Sequence, residues 1–174
     1  KLEKSDALWA KAINLIPCGT QTLSKAPNQF IDGVSPKYLS KGKGAHVTDV
    51  DGNDYIDYPM ALGAIILGHA YPAVNAAVTK QIKSGSLYTL MHPLEVEVAE
   101  RLRDVIPCAE RVRFGKNGSD VTMAAVRIAR ASTGREKVAY CGYHGWQDWF
   151  AVTTSRNKGI PAVFKDLIHP FEFN

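Results

Sequence analysis

Three adjacent residues, Asn117-Gly118-Ser119, have the types and the setting of an anion-binding turn. The alternating apolar side chains of Val112-Arg113-Phe114 precede them as in a strand, and a helix-period apolar run begins after them at Val121. A strand, a glycine turn and a helix start leave N–H groups and the positive end of a helix dipole at the turn. The Ser119 hydroxyl and the Lys116 ammonium group would further stabilise a phosphate there. The residues alone predict either a site for one phosphate monoester or a turn without a ligand.

The turn differs from two common phosphate-binding motifs. A Walker A loop needs Gly-Lys-Ser/Thr after a longer spacing, and a dinucleotide fingerprint needs Gly-x-Gly-x-x-Gly. The sequence contains neither pattern at this point. It therefore gives no indication of a nucleoside triphosphate or a dinucleotide.

A second motif, Tyr143-His144-Gly145, follows the next predicted strand, which runs from Lys137 to Cys141. Ligands of parallel sheets lie at the carboxyl ends of the strands, so both motifs are predicted at one edge. The ring of Tyr143 could stack there on a flat heterocycle whose phosphate is held by the turn. Taken alone, however, the two side chains favour a half-buried tyrosine and a hydrogen-bonded loop histidine.

The elements around these motifs predict an α/β fold. Helix-period apolar residues indicate helices from Pro72 to Gly85 and from Leu94 to Val105, and they alternate with strands after residue 107. This alternation predicts βαβ connections and a parallel sheet. Too few strands are visible for a complete doubly wound sheet, so the segment is predicted to be part of a larger domain.

The first 58 residues have a different pattern, one helix followed by short antiparallel strands. Ser5 is predicted to cap the helix, and Gln29-Phe30-Ile31 and Lys37-Tyr38-Leu39 are strand candidates. Asp51-Gly52 between two alternating runs predicts a hairpin. The acidic residues here also imitate the start of a calcium loop, but Asp54 and Met60 stand where that loop needs Gly and an acidic ligand, so the hairpin is favoured.

Composition restricts the class of protein. The 174 residues are 45% hydrophobic and 22% charged, with a formal net charge of +4, which is typical of a globular protein and gives no indication of nucleic-acid binding. Three widely spaced cysteines without metal-ligand spacing predict reduced thiols, no metal site and a cytoplasmic protein. No apolar run is long enough for a membrane span. The missing initiator Met suggests a trimmed chain or a fragment.

Several motifs together resemble one family, the class III aminotransferases, and most closely its glutamate-1-semialdehyde aminomutase branch. They occur in the order and with the spacing of that family along nearly the whole chain. The motifs are Gly42-Lys43-Gly44-Ala45, Asp49-Val50-Asp51-Gly52-Asn53, Leu67-Gly68-His69, the helix from Leu94 to Glu100, Arg113-Phe114, Gly118-Ser119-Asp120, Thr122-Met123 and Tyr143-His144-Gly145.

The resemblance implies pyridoxal 5′-phosphate as cofactor and the α/β/α sandwich of fold type I. It assigns residues 1–58, a helix with small β-hairpins, to part of a small domain, and residues 59–174 to an incomplete large cofactor-binding domain. Asn117-Gly118-Ser119 corresponds to the phosphate-binding turn, and Tyr143 with His144 to the motif whose tyrosine covers the pyridine ring. Because fold type I sites form between subunits, a homodimer is expected.

Substrate-binding positions depart from the aminomutase pattern. Lys25 stands where the aminomutases carry a carboxylate-binding Arg, and a lysine cannot make the bidentate contact. Ala61-Leu62-Gly63 replaces Ser-Trp-Gly, so an aromatic substrate contact is missing, whereas Thr22 keeps a hydroxyl. These changes favour an aminotransferase that moves an amino group from a small-molecule donor to a keto or aldehyde acceptor. Trp146 and Trp149 could line a substrate pocket or pack internally.

The catalytic lysine of the family, which forms the Schiff base with the cofactor, has no counterpart in this chain and is expected beyond Asn174. Lys116 lies at the phosphate end and cannot replace it. The chain is therefore interpreted as the N-terminal portion of an aminotransferase, inactive by itself. Two alternatives stay open: a glutamate-1-semialdehyde aminomutase, and a non-catalytic module that keeps the cofactor turn.

Overall fold

The computed structural model describes residues 1–174, which divide into two units, Lys1–Thr89 and Leu90–Asn174. The division predicted after residue 58 concerns the domains of a longer protein and stays a prediction. None of the helices combines the length and the apolar character that crossing a bilayer requires.

The first unit contains two helices and a three-stranded antiparallel sheet. Its elements are α1 (Glu3–Leu15), β1 (Leu39–Lys43), β2 (His46–Asp49), β3 (Asp54–Ile56) and α2 (Pro72–Ser84). The sheet order is β1-β2-β3. Short 3₁₀ turns follow α1 at Pro17–Gly19, Leu23–Lys25 and Pro27–Gln29.

The predicted hairpin is confirmed as the pair β2–β3, in which Val47 lies opposite Tyr55. The carboxylate of Asp49, which is buried, organises the turn. It accepts the N–H groups of Asp51 and Asn53 at 2.9 and 2.8 Å, and the Tyr55 hydroxyl at 3.0 Å. One side chain thus satisfies several donors that the tight turn leaves without backbone acceptors.

The hairpin turn also caps α1. Asp51 accepts the N–H groups of Lys4 and Ser5 at 2.8 and 2.9 Å, which places a negative charge at the positive end of the helix. The prediction that Ser5 caps α1 is wrong, because Ser5 lies inside the helix and is buried. Its hydroxyl instead accepts the N–H of Lys37 at 2.9 Å.

The early strand predictions need correction. Gln29 ends a 3₁₀ turn, Phe30 and Ile31 are exposed, and the first strand begins only at Leu39. The strand β1 has little apolar alternation and forms because its backbone pairs with β2, with Gly42 opposite Val47. Local pattern identified the hairpin but could not identify this third strand.

The second unit is built from three helices and a parallel strand pair. Its elements are α3 (Pro93–Val105), α4 (Gly118–Thr133), β4 (Val138–Tyr140), the short α5 (Asp148–Ala151) and β5 (Ile168–Pro170). The strands β4 and β5 are parallel, with Val138 opposite Ile168. The predicted parallel pairing is therefore present, and a 3₁₀ helix, Ala162–Leu167, leads into β5.

The strand predicted at Val112-Arg113-Phe114 is wrong, since these residues form no strand. A strand needs a hydrogen-bonding neighbour, and β4 pairs only with β5. The side chain of Phe114 is correspondingly exposed.

The core of the second unit is aromatic and aliphatic. Trp149 and Phe150 from α5 are buried with Val152 and Ile168. Partly buried residues from α4, β4 and the following loops pack around them, namely Met123, Val126, Val138, Tyr140, Ile160, Phe164 and Leu167. This core supports the end of β4, where Tyr143-His144-Gly145 begins.

Candidate functional site

The first turn of α4 carries unused hydrogen-bond donors. Asn117 caps the helix, because its Oδ1 accepts the N–H of Asp120 at 3.0 Å. The N–H groups of Gly118 and Ser119 have no acceptor in the protein, and the Ser119 hydroxyl makes no hydrogen bond to any other protein group. The turn therefore offers two N–H donors and one hydroxyl at the positive end of a 16-residue helix.

The space in front of this turn is open. A Cβ built on Gly118 would meet no atom within 4 Å, so the missing side chain leaves room for a group to approach the backbone. Lys116 just before the turn is exposed, and Asp120 in the first turn supplies an opposing negative charge. The donors and the cleared backbone fit a phosphate monoester, the class of anion that the sequence predicted.

The Tyr143-His144-Gly145 segment lies against the same turn. A Cβ on Gly145 would lie 2.3 Å from Ser119 Oγ and 2.7 Å from Gln147 Oε1, and the φ of Gly145 is +114°. Only glycine allows this conformation and this approach. The structure thus brings together two of the motifs that the sequence singled out, Asn117-Gly118-Ser119 and Tyr143-His144-Gly145.

A threonine joins the two motifs. Oγ1 of Thr122 lies 2.9 Å from the carbonyl oxygen of His144 and 3.1 Å from that of Ser119, so its hydroxyl bridges the loop and the helix turn. The His144 ring donates from Nε2 to the carbonyl of Cys141 at 2.8 Å, which fixes the tautomer. These contacts hold the backbone of the loop in place next to the donors of α4.

The two side chains of the loop have different environments. Tyr143 is 81% exposed, and its ring meets Phe150 edge to face at 5.5 Å, so one ring face is available to a ligand. His144 is half-buried among Tyr140, Trp149 and Phe150, with ring centroids 5.6 to 5.9 Å away. His144 is thus a packed, hydrogen-bonded support, whereas the Tyr143 ring is exposed and its stacking on a cofactor stays a prediction.

A buried acceptor next to the loop is unpaired. Oε1 of Gln147 is inaccessible to solvent and has no hydrogen-bond partner, and it lies on the same side of Gly145 as the Ser119 hydroxyl. An unpaired buried polar atom is unfavourable unless a ligand or water supplies the partner.

The remaining predicted residues, Thr22, Lys25 and Leu62, lie in the first unit. Thr22 precedes a 3₁₀ turn, and its carbonyl accepts the Thr20 hydroxyl at 3.1 Å. Lys25 ends that turn and is exposed. Leu62 belongs to a separate loop, is 64% exposed and has a φ of +60°. Their roles toward a substrate stay predictions.

Sequence reasoning named Thr122 only as part of a family motif and missed its role, which is to bridge the carbonyls of Ser119 and His144. The choice left open for the tryptophans is resolved for one of them, since Trp149 is 4% exposed and packs in the core. Trp146 is 79% exposed, and its role stays open.

Comparisons with known proteins agree with this geometry. The sequence profile of the family described as Aminotransferase class-III matches residues 32–173. The 3-aminobutyryl-CoA aminotransferase of Cloacimonas acidaminovorans (strain Evry) is 39% identical over 100% of this chain and 41% of its own length. The glutamate-1-semialdehyde 2,1-aminomutase of Archaeoglobus fulgidus is also 39% identical, over 94% of this chain and 41% of its own length.

Solved structures share the fold. An omega-transaminase from Sphaerobacter thermophilus superposes with a TM-score of 0.86 at 28% identity, over 97% of this chain and 41% of that chain. A transaminase with PLP bound has a TM-score of 0.88 at 34% identity, over 100% of this chain and 42% of that chain. These matches confirm the predicted α/β fold of type I, although the chain spans only about two fifths of each relative. The profile match and the shared fold show that the chain belongs to the class III aminotransferases.

Proposed function

We propose that this chain supplies the phosphate-binding and ring-stacking part of a pyridoxal 5′-phosphate-dependent aminotransferase. The observation that carries the proposal is the first turn of α4, where the free donors of Gly118 and Ser119 lie beside the loop that carries Tyr143. A related transaminase that holds this cofactor matches the whole chain, which supports the same assignment.

Each residue of the site has a defined role in this proposal. The N–H groups of Gly118 and Ser119 and the Ser119 hydroxyl hold the phosphate, and Asn117 keeps the turn in shape by capping α4. The Tyr143 ring covers one face of the cofactor ring, and His144 fixes the loop through its bond to Cys141. When bound, the cofactor supplies an electron sink for reactions of amino compounds, and the protein binds and orients the cofactor.

The covalent half of the site is proposed to lie elsewhere in a longer polypeptide. The chain covers 41% of the relative from Cloacimonas acidaminovorans, and the family resemblance puts the Schiff-base lysine after Asn174. We therefore expect no transaminase activity from these 174 residues alone. Borohydride reduction of the chain mixed with cofactor should trap no stoichiometric adduct, and a site-specific adduct at one lysine would contradict this.

The large accessible surface of the chain and its exposed apolar side chains support the proposal that other polypeptide segments cover it. Its accessible area is 14027 Å², whereas two independent compact units that share its mass would expose about 10,000 Å². The apolar side chains Val74, Val78 and Ile82 on one face of α2 are all exposed. We propose that the rest of the polypeptide and a second copy in a homodimer cover such surfaces. A cytoplasmic location stays part of the proposal.

The proposed reaction transfers an amino group from a small-molecule donor to a keto or aldehyde acceptor. An aminomutase is the second candidate, since the aminomutase of Archaeoglobus fulgidus is as similar as the aminotransferase of Cloacimonas acidaminovorans. Lys25 and Leu62 disfavour the semialdehyde substrate, because the bidentate and aromatic contacts of the aminomutases are missing. An amino-donor screen separates the two, since only the aminotransferase consumes an external donor at each turnover. A non-catalytic module is the third candidate, and a reading frame without the lysine would favour it.

The cofactor site can be tested by titrating the full-length apoprotein with pyridoxal 5′-phosphate. Ser119→Ala should weaken binding by about 10- to 150-fold, because a hydrogen bond to a charged group contributes about 1.5–3 kcal/mol. Ser132→Ala is a matched control on the same helix, where the hydroxyl bonds only to the carbonyl of Ala129. Equal affinity of Ser119→Ala and the unmodified protein would exclude the turn as the phosphate site.

A further inference from the structure

The residue that caps α4 is followed directly by a glycine. Asn117-Gly118 is the only Asn-Gly pair in the 174 residues, and both residues are exposed. Asparagine is chemically labile, because the backbone nitrogen of the next residue can attack its side-chain carbonyl carbon and release the amide. A following glycine allows this attack most readily, since it has no Cβ to hinder the approach.

The backbone nitrogen of Gly118 is unobstructed in the structure. Its N–H donates to no acceptor in the protein, and a Cβ built on Gly118 would meet no atom within 4 Å. Residues 112–114 form no strand, so no sheet holds the chain on the side that precedes the turn. Neither a hydrogen-bond acceptor nor a packed side chain shields this nitrogen.

The helix cap holds the reacting carboxamide away from Gly118. Oδ1 of Asn117 accepts the N–H of Asp120 at 3.0 Å, and the backbone of Asn117 is extended, with a ψ of 168°. Closing a five-membered ring onto the Gly118 nitrogen requires rotation about this ψ and loss of the capping hydrogen bond. The reaction rate is therefore set by how often the first turn of α4 opens.

Other asparagines of the chain are in less favourable settings. Asn75 lies inside α2, where helical hydrogen bonds hold the backbone. Asn28 is exposed like Asn117, but Gln29 follows it and also donates to its Oδ1 at 3.3 Å. Exposure alone thus does not distinguish Asn117 from Asn28, whereas the following glycine does.

We propose that Asn117 is a deamidation site and that a phosphate group bound at the first turn of α4 protects it. This rests on the proposed function, because the protecting group is the phosphate of pyridoxal 5′-phosphate. When the N–H groups of Gly118 and Ser119 donate to a phosphate, the turn stays closed and the attacking nitrogen is engaged. The protein without cofactor is therefore the form that is modified.

The reaction requires only water as co-reactant. The Gly118 nitrogen bonds to Cγ of Asn117, the Cγ–Nδ2 bond breaks, and the proton of the Gly118 N–H leaves with the amide group as ammonia. Water then opens the cyclic imide. Attack at Cγ gives aspartate and restores the Gly118 N–H, whereas attack at the backbone carbonyl carbon gives isoaspartate, in which the chain continues through the former side chain. No atom is oxidised or reduced.

Both products impair the anion site. Aspartate can still cap a helix, but its carboxylate places a negative charge beside the Gly118 and Ser119 donors and repels a phosphate. Isoaspartate adds one carbon to the backbone before Gly118, which disrupts the cap and displaces the donors. The modified turn should bind the cofactor about tenfold or more weakly, as expected for two like charges at close range.

The experiment incubates the full-length protein at mildly alkaline pH with and without pyridoxal 5′-phosphate. Peptide mapping by mass spectrometry measures conversion of Asn117, with Asn28 as internal reference, and an isoaspartate-specific methyltransferase identifies the isoaspartate. Cofactor at about 100 times its dissociation constant should slow conversion of Asn117 by about tenfold or more and leave Asn28 unaffected, because binding suppresses the opened turn. Equal rates with and without cofactor overturn the proposal, and so does conversion of Asn117 no faster than that of Asn28.

Cofactor titration of the incubated apoprotein measures the consequence. Its affinity should fall as Asn117 is converted, and freshly prepared Asn117→Asp should bind about tenfold or more weakly than the unmodified protein. Asn117→Ser keeps a capping side chain and has no amide to lose, so its affinity should not decline during incubation. Asn28→Ser is the matched control and should decline as the unmodified protein does. Equal decline of Asn117→Ser and Asn28→Ser overturns the proposal.

Fresh apoprotein separates this inference from the proposed function. If the fresh protein binds pyridoxal 5′-phosphate and Asn117 is not converted on incubation, the proposed function stands and the deamidation site is excluded. If the fresh protein binds no cofactor, the proposed function and the protection both fail. Faster conversion of Asn117 than of Asn28 would then still identify the modification site.

Discussion

The two units of the chain are stabilised by different chemistry. In Lys1–Thr89 the structure is organised by carboxylates, since Asp49 holds the hairpin turn, Asp51 caps α1 and Asp57 closes the loop between β3 and α2 by its contact with His69. In Leu90–Asn174 the organising feature is the aromatic core around Trp149 and Phe150. Directional hydrogen bonds can fix loops that bury little apolar surface. An aromatic core can instead support the ring of Tyr143 through its edge-to-face contact with Phe150.

The largest expected effect is loss of the aromatic core. Trp149→Ala should lower the free energy of unfolding of the second unit by about 3–5 kcal/mol, because it removes a buried indole and leaves a cavity. Trp146→Ala, at an exposed position three residues earlier, should change it by less than about 0.5 kcal/mol. Urea unfolding followed by circular dichroism measures both. Equal losses would show that α5 is not the centre of stability.

The corresponding change in the first unit is Asp49→Ala. It leaves the N–H groups of Asp51 and Asn53 and the Tyr55 hydroxyl without their acceptor, which should cost about 2–3 kcal/mol. Asp54→Ala removes an exposed carboxylate of the same sheet and should cost less than about 1 kcal/mol. Hydrogen exchange of the hairpin amides reports the difference, and comparable losses in the two variants would contradict the prediction.

Lowering the pH should also destabilise the first unit before the second. Burial by itself raises the pKa of Asp49, but the hydrogen bonds from Asn53, Tyr55 and Asp51 outweigh it and hold the pKa below its ordinary value of 3.8. The unfolded chain then binds the proton more readily, so this stabilisation is complete above the unfolded pKa and is lost as the pH falls through the lower folded value. The hairpin amides should lose protection below about pH 4 before those of β4 do. In Asp49→Asn this loss should be much smaller, and an unchanged acid response would contradict the assignment.

The smallest expected effect concerns a hydrogen bond inside the second unit, between α4 and the loop that carries Tyr143. Thr122→Val removes the hydroxyl that bridges the carbonyls of Ser119 and His144, at a cost of about 1 kcal/mol in cofactor binding. Thr122→Ser keeps the hydroxyl and should bind as the unmodified protein does. Titration of the full-length apoprotein with pyridoxal 5′-phosphate compares them. If both variants bind equally, packing alone holds the Tyr143 loop.

Much of the fold could be predicted because the relevant signals are local. The helices α2 and α3 follow from apolar periodicity with Pro72 and Pro93 in their first turns, and the hairpin follows from Asp51-Gly52. The helix α4 follows from its apolar face and the Asn117 cap. The failures depend on distant partners. Ser5 has the type of a cap, but Asp51 performs that role from far along the chain.

In the candidate site, too, local features could be anticipated from the sequence and contacts between distant residues could not. The free donors of Asn117-Gly118-Ser119 and the exposed position of Tyr143 could be anticipated, because a helix start leaves unpaired N–H groups and a motif after a strand lies at the sheet edge. The strand expected before the turn is absent. The bridging role of Thr122 could not be anticipated, since it arises only when the loop after β4 folds back onto α4. The pair formed by Asp57 and His69 was hidden for the same reason, as a contact between the two ends of a loop.

The cap on α1 has a consequence for the order of folding. The helix is 13 residues long, close to the length at which an isolated helix is marginal in water, and its first turn is completed by a carboxylate 46 residues downstream. During synthesis the segment Glu3–Leu15 leaves the ribosome well before Asp51 does. The segment Glu3–Leu15 must therefore wait, largely unstructured, until the hairpin has been made and closed, so that this helix is completed by an element that is synthesised after it.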